Sequence, residues 1–270
     1  MKKNILITGS TDGIGKLTAI KLAKEGHTVF VHGRNTEKLN TVVTEIKELS
    51  QNGKIKGFVA DFSDLSAVKS MAEQILKEVS GLDVLINNAG IFTSSVSKTK
   101  EGIDIRLVVN YLAPYLLTTE ILPVFNTESR IVNLSSAAQA PVSINALNGK
   151  APLSVNEAYA QSKLALTMWS FNLADHLTNT TVIAVNPGSL LNTKMAKEAY
   201  GQHWSPAEKG SSILYDLAIS NEYKGITKKY FDNDKGEVKG VFSNAHSDAY
   251  NNTKITELLS FTKQAISINS

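Results

Sequence analysis

Asn4-Ile5-Leu6-Ile7-Thr8-Gly9-Ser10-Thr11-Asp12-Gly13-Ile14-Gly15 is the stretch that decides the fold. A short apolar run ends in a turn with three glycines, and an amphipathic stretch, Ile14–Glu25, follows at once. Gly9 permits a tight turn, Gly13 lets a pyrophosphate approach the backbone, and Gly15 lets helix and strand pack closely. The first N–H groups of the helix have no intrahelical partner and its dipole is positive there, so the turn suits an anion. Any strand–helix loop can carry glycines. The position of this one, after the first strand and opening the first helix, is what points to a dinucleotide.

Outward from the turn the same alternation continues. The patterns predict strands near Asn4–Thr8, Thr28–His32, Ile55–Ala60, Val84–Asn87, Arg130–Leu134, Thr181–Val185 and Lys229–Phe231. They predict helices over Ile14–Glu25, Glu37–Ser50, Leu65–Val79, Gly102–Leu122, Glu157–Leu177, Pro206–Ser220 and Thr253–Ala265. Each crossover must return the chain to the same sheet edge, so the alternation requires a parallel sheet with helices on both faces. The expected class is α/β: one doubly wound parallel sheet of about seven strands, in a single domain over residues 1–270. No linker, repeat or low-complexity segment interrupts it. Two long irregular stretches, Ala137–Val155 and Ser189–Ser205, follow strands and so belong at the carboxyl edge, where ligands bind.

Of 270 residues 42% are hydrophobic, enough for a substantial core. Net charge is only +3 and no run of five or six like charges occurs, so no nucleic-acid partner is expected. Cysteine is absent, which excludes disulfides, thiolate metal sites and a cysteine nucleophile. His27, His32, His176, His203 and His246 lack metal-ligand spacing, so no metal is expected. The apolar run after Met1-Lys2-Lys3 is too short for a signal core, and no later window approaches a membrane span of about 18 apolar residues. The expectation is a soluble, cytoplasmic protein with no membrane partner.

Further motifs stand at later strand ends. Asp61-Phe62 follows the third strand, Asn87-Asn88-Ala89-Gly90 the fourth, Ser135-Ser136 the fifth and Asn186-Pro187-Gly188 the sixth. Asn110 lies in the helix after the fourth strand, and Tyr159-Ala160-Gln161-Ser162-Lys163 opens the helix after the fifth. In this order, and with Gly-x-x-x-Gly-x-Gly in the first turn, the chain resembles the short-chain dehydrogenase/reductase family over nearly its whole length. Gly33-Arg34-Asn35, the Lys229-Tyr230-Phe231 strand, the long gap from Ser136 to Tyr159 and the terminal helix resemble the retinol-dehydrogenase-like branch. The resemblance implies a Rossmann-like domain with Asn110, Ser136, Tyr159 and Lys163 as the catalytic set. It implies cofactor contacts from Gly9, Ser10, Thr11, Asp12, Gly13, Ile14, Gly15, Arg34, Asn35, Asp61, Phe62, Asn88, Ala89, Gly90, Tyr159, Lys163, Pro187, Gly188 and Thr193.

Tyr159 and Lys163 share one helix face. A free phenol titrates near ~10, too high for easy proton exchange at neutral pH. A nearby ammonium, with the positive nicotinamide ring of an oxidised cofactor, favours the phenolate and makes Tyr159 a usable acid and base. By resemblance, Lys163 also holds the nicotinamide ribose, Ser136 the substrate oxygen, Asn110 a water joining Lys163 to solvent, and Thr193 the carboxamide. Tyr250 and Lys254 repeat the spacing but follow no serine-bearing strand, and read as surface residues.

Cofactor choice turns on His32-Gly33-Arg34-Asn35. Gly33 stands where an NAD site has a carboxylate for the ribose, and Arg34 can pair with a 2′-phosphate, so NADP (NADPH) is expected over NAD. Asp12 in the glycine loop argues the other way. The resulting expectation is an enzyme interconverting a small carbonyl compound and an alcohol. The alternative from another class is an NADP(H)-sensing regulatory protein, although such proteins often lose the tyrosine or lysine present here. Met195, Tyr200 and Trp204 either line an apolar substrate pocket or pack their segment onto the body. Leu107–Leu122 and Ala158–Ala174 are apolar nearly all round and need cover beyond the sheet. The resemblance, to a family that commonly pairs these helices across a dimer axis, implies a homodimer, with loops or the terminal helix as the alternative cover.

Overall fold

The apolar runs become the strands of one sheet. In the computed structural model, which describes residues 1–236 and 239–269, they are β1 (Asn4–Ile7), β2 (Thr28–Gly33), β3 (Ile55–Val59), β4 (Leu82–Asn87), β5 (Phe125–Leu134), β6 (Thr180–Asn186), β7 (Lys229–Asp232) and β8 (Val241–Ser243). Their order is β3-β2-β1-β4-β5-β6-β7-β8, parallel except for β8, which runs antiparallel to β7. The chain moves from β1 to β2 and β3 on one side, then crosses to β4 on the other. The topological switch point therefore lies between β1 and β4, beside the glycine turn.

Helices cover both faces: α1 (Gly13–Lys24), α2 (Thr36–Ser50), α3 (Leu65–Glu78), α4 (Ile105–Leu107), α5 (Ala113–Ile121), α6 (Ile144–Leu147), α7 (Val155–His176), α8 (Lys194–Tyr200), α9 (Ala207–Ile219) and α10 (Asn252–Asn269). Alternate strand residues feed two separate cores. Leu6, Leu85, Ile131 and Val182 pack with α3, α5, α7 and α10, while Ile5, Ile7, Val84, Ile86 and Val132 pack with α1, α2 and α9.

Four expectations need correction. The helix expected over Gly102–Leu122 starts at Ile105, and a π turn, Val108–Leu112, separates α4 from α5. Pro114 has no N–H to return to the Asn110 carbonyl, so regular α-bonding cannot run through this point. A window long and apolar enough to cross a membrane does exist, Ile105–Val124, but 67% of it is buried inside the fold, which accounts for its composition. The stretch Ser189–Ser205 contains α8, and β8 adds an eighth strand; both are too short to give a clear period.

The terminal helix bears on the expected homodimer. α10 packs on α7, α6 and α3 of the same chain and buries Ile255, Leu258, Thr262 and Ala265. Tyr111 and Thr262 join their hydroxyls at 2.6 Å under this cover. Part of the apolar surface that suggested a homodimer, on α7 and at Tyr111, is thus covered within the chain.

Candidate active site

One cleft of about 1280 Å³ opens at the carboxyl ends of the parallel strands. This exceeds the ~300–1,000 Å³ of a single small-ligand pocket, leaving room for a dinucleotide and a substrate together. Gly9 and Gly13 take φ of +62° and +52°. A Cβ at Gly9 would stand 2.7 Å from Ala89 Cα, and one at Gly15 only 2.4 Å from Asn88 Nδ2, so the loop lies flat against the Asn88–Gly90 turn because both are glycine. Asn88 Nδ2 donates to the Thr8 and Gly9 carbonyls at 2.8 Å, and Thr8 Oγ1 accepts the Asn88 and Ala89 N–H groups at 3.0 Å.

Asp12 caps α1 by accepting the Gly13 N–H at 2.8 Å. Its other oxygen accepts from Lys38 Nζ at 2.8 Å, and the lysine holds this carboxyl below the usual carboxylate range. The acid that argued against a 2′-phosphate is therefore neutralised. Lys38 lines the cleft with Arg34, Thr11, Ile14, Asp61 and Phe62 and was missed in the sequence. The available signal was its position one helical turn beyond Arg34. Ser10 and Asn35 spend their side chains elsewhere. Ser10 Oγ donates to the Ile7 carbonyl and accepts the His32 N–H, while Asn35 caps α2 by accepting the Lys38 N–H at 2.8 Å.

The chemical half begins at the end of β5. Ser135 turns into the core, its Oγ 2.7 Å from Thr167 Oγ1, whereas Ser136 is half-buried at the cleft wall, its Oγ accepting the Ala138 N–H. Tyr230 on β7 donates to the Ser136 carbonyl at 3.0 Å and braces this turn. A capping box at Ser154 and Glu157 starts α7, whose first turns carry Tyr159 and Lys163 into the same cleft. Lys163, 4% exposed, donates from Nζ to the Leu134 carbonyl at 2.7 Å and lies 5.6 Å from the Tyr159 ring centroid. Burial pulls its pKa down to about 8.

Behind them Asn110, in the π turn, grips Ile91 at both ends: Oδ1 accepts its N–H at 2.8 Å and Nδ2 donates to its carbonyl at 3.0 Å. Asn110 also donates to Ser162 Oγ at 3.0 Å, and its side chain lies behind the cleft wall. Arg106, buried with Asp104, donates from Nε to the Phe92 carbonyl at 2.6 Å, and the Phe92 ring packs on Tyr159 with centroids 5.0 Å apart. No local pattern in the sequence signals this second clamp.

Pro187 and Gly188 line the cleft on a loop tied to the end of β7: Asn233 Nδ2 donates to the Pro187 carbonyl, and Asp234 accepts the Ser189 N–H. Thr193 caps α8 and also lines the cleft. Met195 and Trp204 stand at its mouth, Trp204 with 73% of its surface exposed; the Tyr200 side chain lies outside the described part. Tyr250 and Lys254 do not reach the cleft. The first accepts the Ala245 N–H and the second pairs with Asp248.

Three comparisons bear on this arrangement. Residues 3–204 match the family model described as short chain dehydrogenase. The chain is 31% identical over 261 residues to polyprenol dehydrogenase of Homo sapiens, covering 87% of this chain and 78% of that protein. It is 32% identical over 244 residues to retinol dehydrogenase 12 of Bos taurus, covering 85% and 77%. A short chain dehydrogenase from Burkholderia cenocepacia, solved in complex with NADP, superposes with a TM-score of 0.70 at 28% identity, covering 87% of this chain and 97% of that one. With its glycine turn, its Ser–Tyr–Lys cleft and these matches, the chain belongs to the short-chain dehydrogenase/reductase family, in the retinol-dehydrogenase-like branch.

Proposed function

We propose that this enzyme interconverts a carbonyl compound and an alcohol with NADP(H), using Tyr159 as the acid and base. The observation that carries the reading is the convergence of Ser136, Tyr159 and Lys163 on the cleft that the glycine turn opens. The residues fit a dinucleotide: a helix N-terminus behind the glycine turn, and Arg34, just after β2, for a 2′-phosphate, with Asp12 paired to Lys38 of α2. When bound, the cofactor supplies or accepts the hydride.

The rest is done by the chain itself. Tyr159 hands its hydroxyl proton to the substrate oxygen during reduction and takes it back during oxidation. Ser136 Oγ orients that oxygen and stabilises the charge growing on it. Lys163, held on the Leu134 carbonyl, keeps a cation beside the phenol and favours its ionised form. Asn110 keeps the Ile91 backbone in place and, in its π turn, is the candidate to hold a water toward Lys163. Phe92, Met195 and Trp204 suit an apolar substrate, a class consistent with the names of the polyprenol and retinol relatives. Nothing in the site favours a purely regulatory dinucleotide sensor.

The test is to follow NADPH absorbance with aldehydes, ketones and quinones. Tyr159→Phe is expected to abolish turnover while NADPH still binds, and Tyr250→Phe to stay within a few-fold of the parent. Near-normal turnover in Tyr159→Phe removes that residue from the mechanism.

A further inference from the structure

The regular ladder ends at Ile7 on β1 and at Gly33 and Val59 on β2 and β3. Beyond it the glycine loop and the Ala60–Phe62 segment leave the sheet, and both line the cleft. One side chain spans them. His32 Nδ1 accepts the Gly9 N–H at 2.9 Å, and Nε2 stands 3.0 Å from the Ala60 carbonyl. An N–H can only donate and a carbonyl can only accept, so the two neighbours fix the ring as the neutral tautomer with hydrogen on Nε2. The ring is 3% exposed and stacks on Phe62 with centroids 4.3 Å apart. The main chain repeats the tie: Ser10 N–H donates to the His32 carbonyl, and the His32 N–H to Ser10 Oγ.

We propose that His32 is a positioning residue for the dinucleotide, locking the glycine loop and the Ala60–Phe62 wall into one frame through its neutral imidazole. The proposal rests on the dinucleotide reading above. A histidine that only filled core volume would need no such pairing. Here both ring nitrogens bind backbone atoms of the two segments that would flank a bound nucleotide, and neither binds the hydrophobic core. Burial, which holds the ring pKa down to about 4, keeps the required neutral form at ordinary pH.

The test titrates NADPH and NADH into the parent, His32→Phe and His32→Gln. Phenylalanine keeps a stacked ring but makes neither hydrogen bond. Glutamine carries one acceptor and one donor at the end of its side chain. His32→Phe is expected to weaken both cofactors together by roughly ten- to a hundredfold with kcat at saturating cofactor within a few-fold. His32→Gln is expected to recover most of the affinity. A folded His32→Phe that binds within twofold of the parent overturns the proposal, as does a loss confined to kcat. Ring nitrogen NMR of the cofactor-free parent should report the Nε2–H tautomer, and the Gly9 amide should exchange slowly. An imidazolium, the other tautomer or fast exchange overturns the lock even where His32→Phe does not fold. If the parent binds neither cofactor, the dinucleotide reading itself fails, a result distinct from the others.

Discussion

At the scale of single residues, the proposed choice of NADP(H) rests on the charge that follows β2. A 2′-phosphate carries nearly two negative charges and needs cations with no uncompensated carboxylate close by. Arg34 and Lys38 line the cleft and Asp12 is already paired with Lys38. A charge-assisted hydrogen bond contributes about 1.5–3 kcal/mol, so Arg34→Ala should weaken NADPH roughly ten- to a hundredfold. The lower end is expected because Arg34 is exposed. NADH, which offers no phosphate, should be nearly unaffected; equal weakening of both in a fluorescence titration would refute the assignment. Gly33→Asp is a poorer probe, since its Cβ would meet Thr11 Cγ2 at 2.4 Å and disturb the glycine loop as well as the charge.

His32 also makes stability depend on pH. Its folded pKa, about 4, lies below the ordinary histidine value of about 6.5, so the unfolded chain binds more protons between these values. The protein should therefore hold this contribution above about pH 6.5 and lose it progressively as pH falls toward 4, by on the order of 3 kcal/mol. Urea unfolding across pH 4–7 should show this slope in the parent and a shallower one in His32→Gln. Identical slopes would mean that the imidazole titrates normally in the fold.

At the scale of elements, α7 matters because both Tyr159 and Lys163 ride on it. Its start is fixed by the Ser154–Glu157 capping box, which satisfies two otherwise orphaned N–H groups. Ser154→Ala should cost about 1 kcal/mol and lower Tm by about 2–4 °C. Calorimetry that finds no change would mean that the first turn of α7 is held by its surroundings and not by its cap. The π turn before α5 does a different job. It swings Asn110 onto Ile91, while Arg106 holds Phe92, so the segment beside Tyr159 is clamped from two helical residues.

At the scale of the whole molecule, α10 completes the core. Leu258, 1% exposed, lies in one cluster with Tyr111, Leu112 and Phe171. Leu258→Ala should destabilise the fold by about 2–5 kcal/mol, measured by denaturant unfolding. A change under ~1 kcal/mol would show that α10 is only loosely seated, and would reopen the face it covers to a partner.

The sequence by itself determined the strand–helix order, the parallel sheet and the glycine turn, while Ser136, Tyr159 and Lys163 were pointed to by resemblance and brought into one cleft by the fold. The first three rest on local spacing, and period, turn chemistry and short motifs are carried by neighbouring residues. What only the tertiary structure decided involves residues far apart in the chain. Lys38 neutralising Asp12, His32 joining Gly9 to Ala60, and Arg106 holding Phe92 all depend on which loops the sheet order brings side by side. The π turn was hidden because Val108–Leu112 is buried on every side and gives no period to break. The cover over α7 was open for a related reason: an apolar face states that it must be buried but not by what, and of the alternatives the last helix of the same chain supplies part of it.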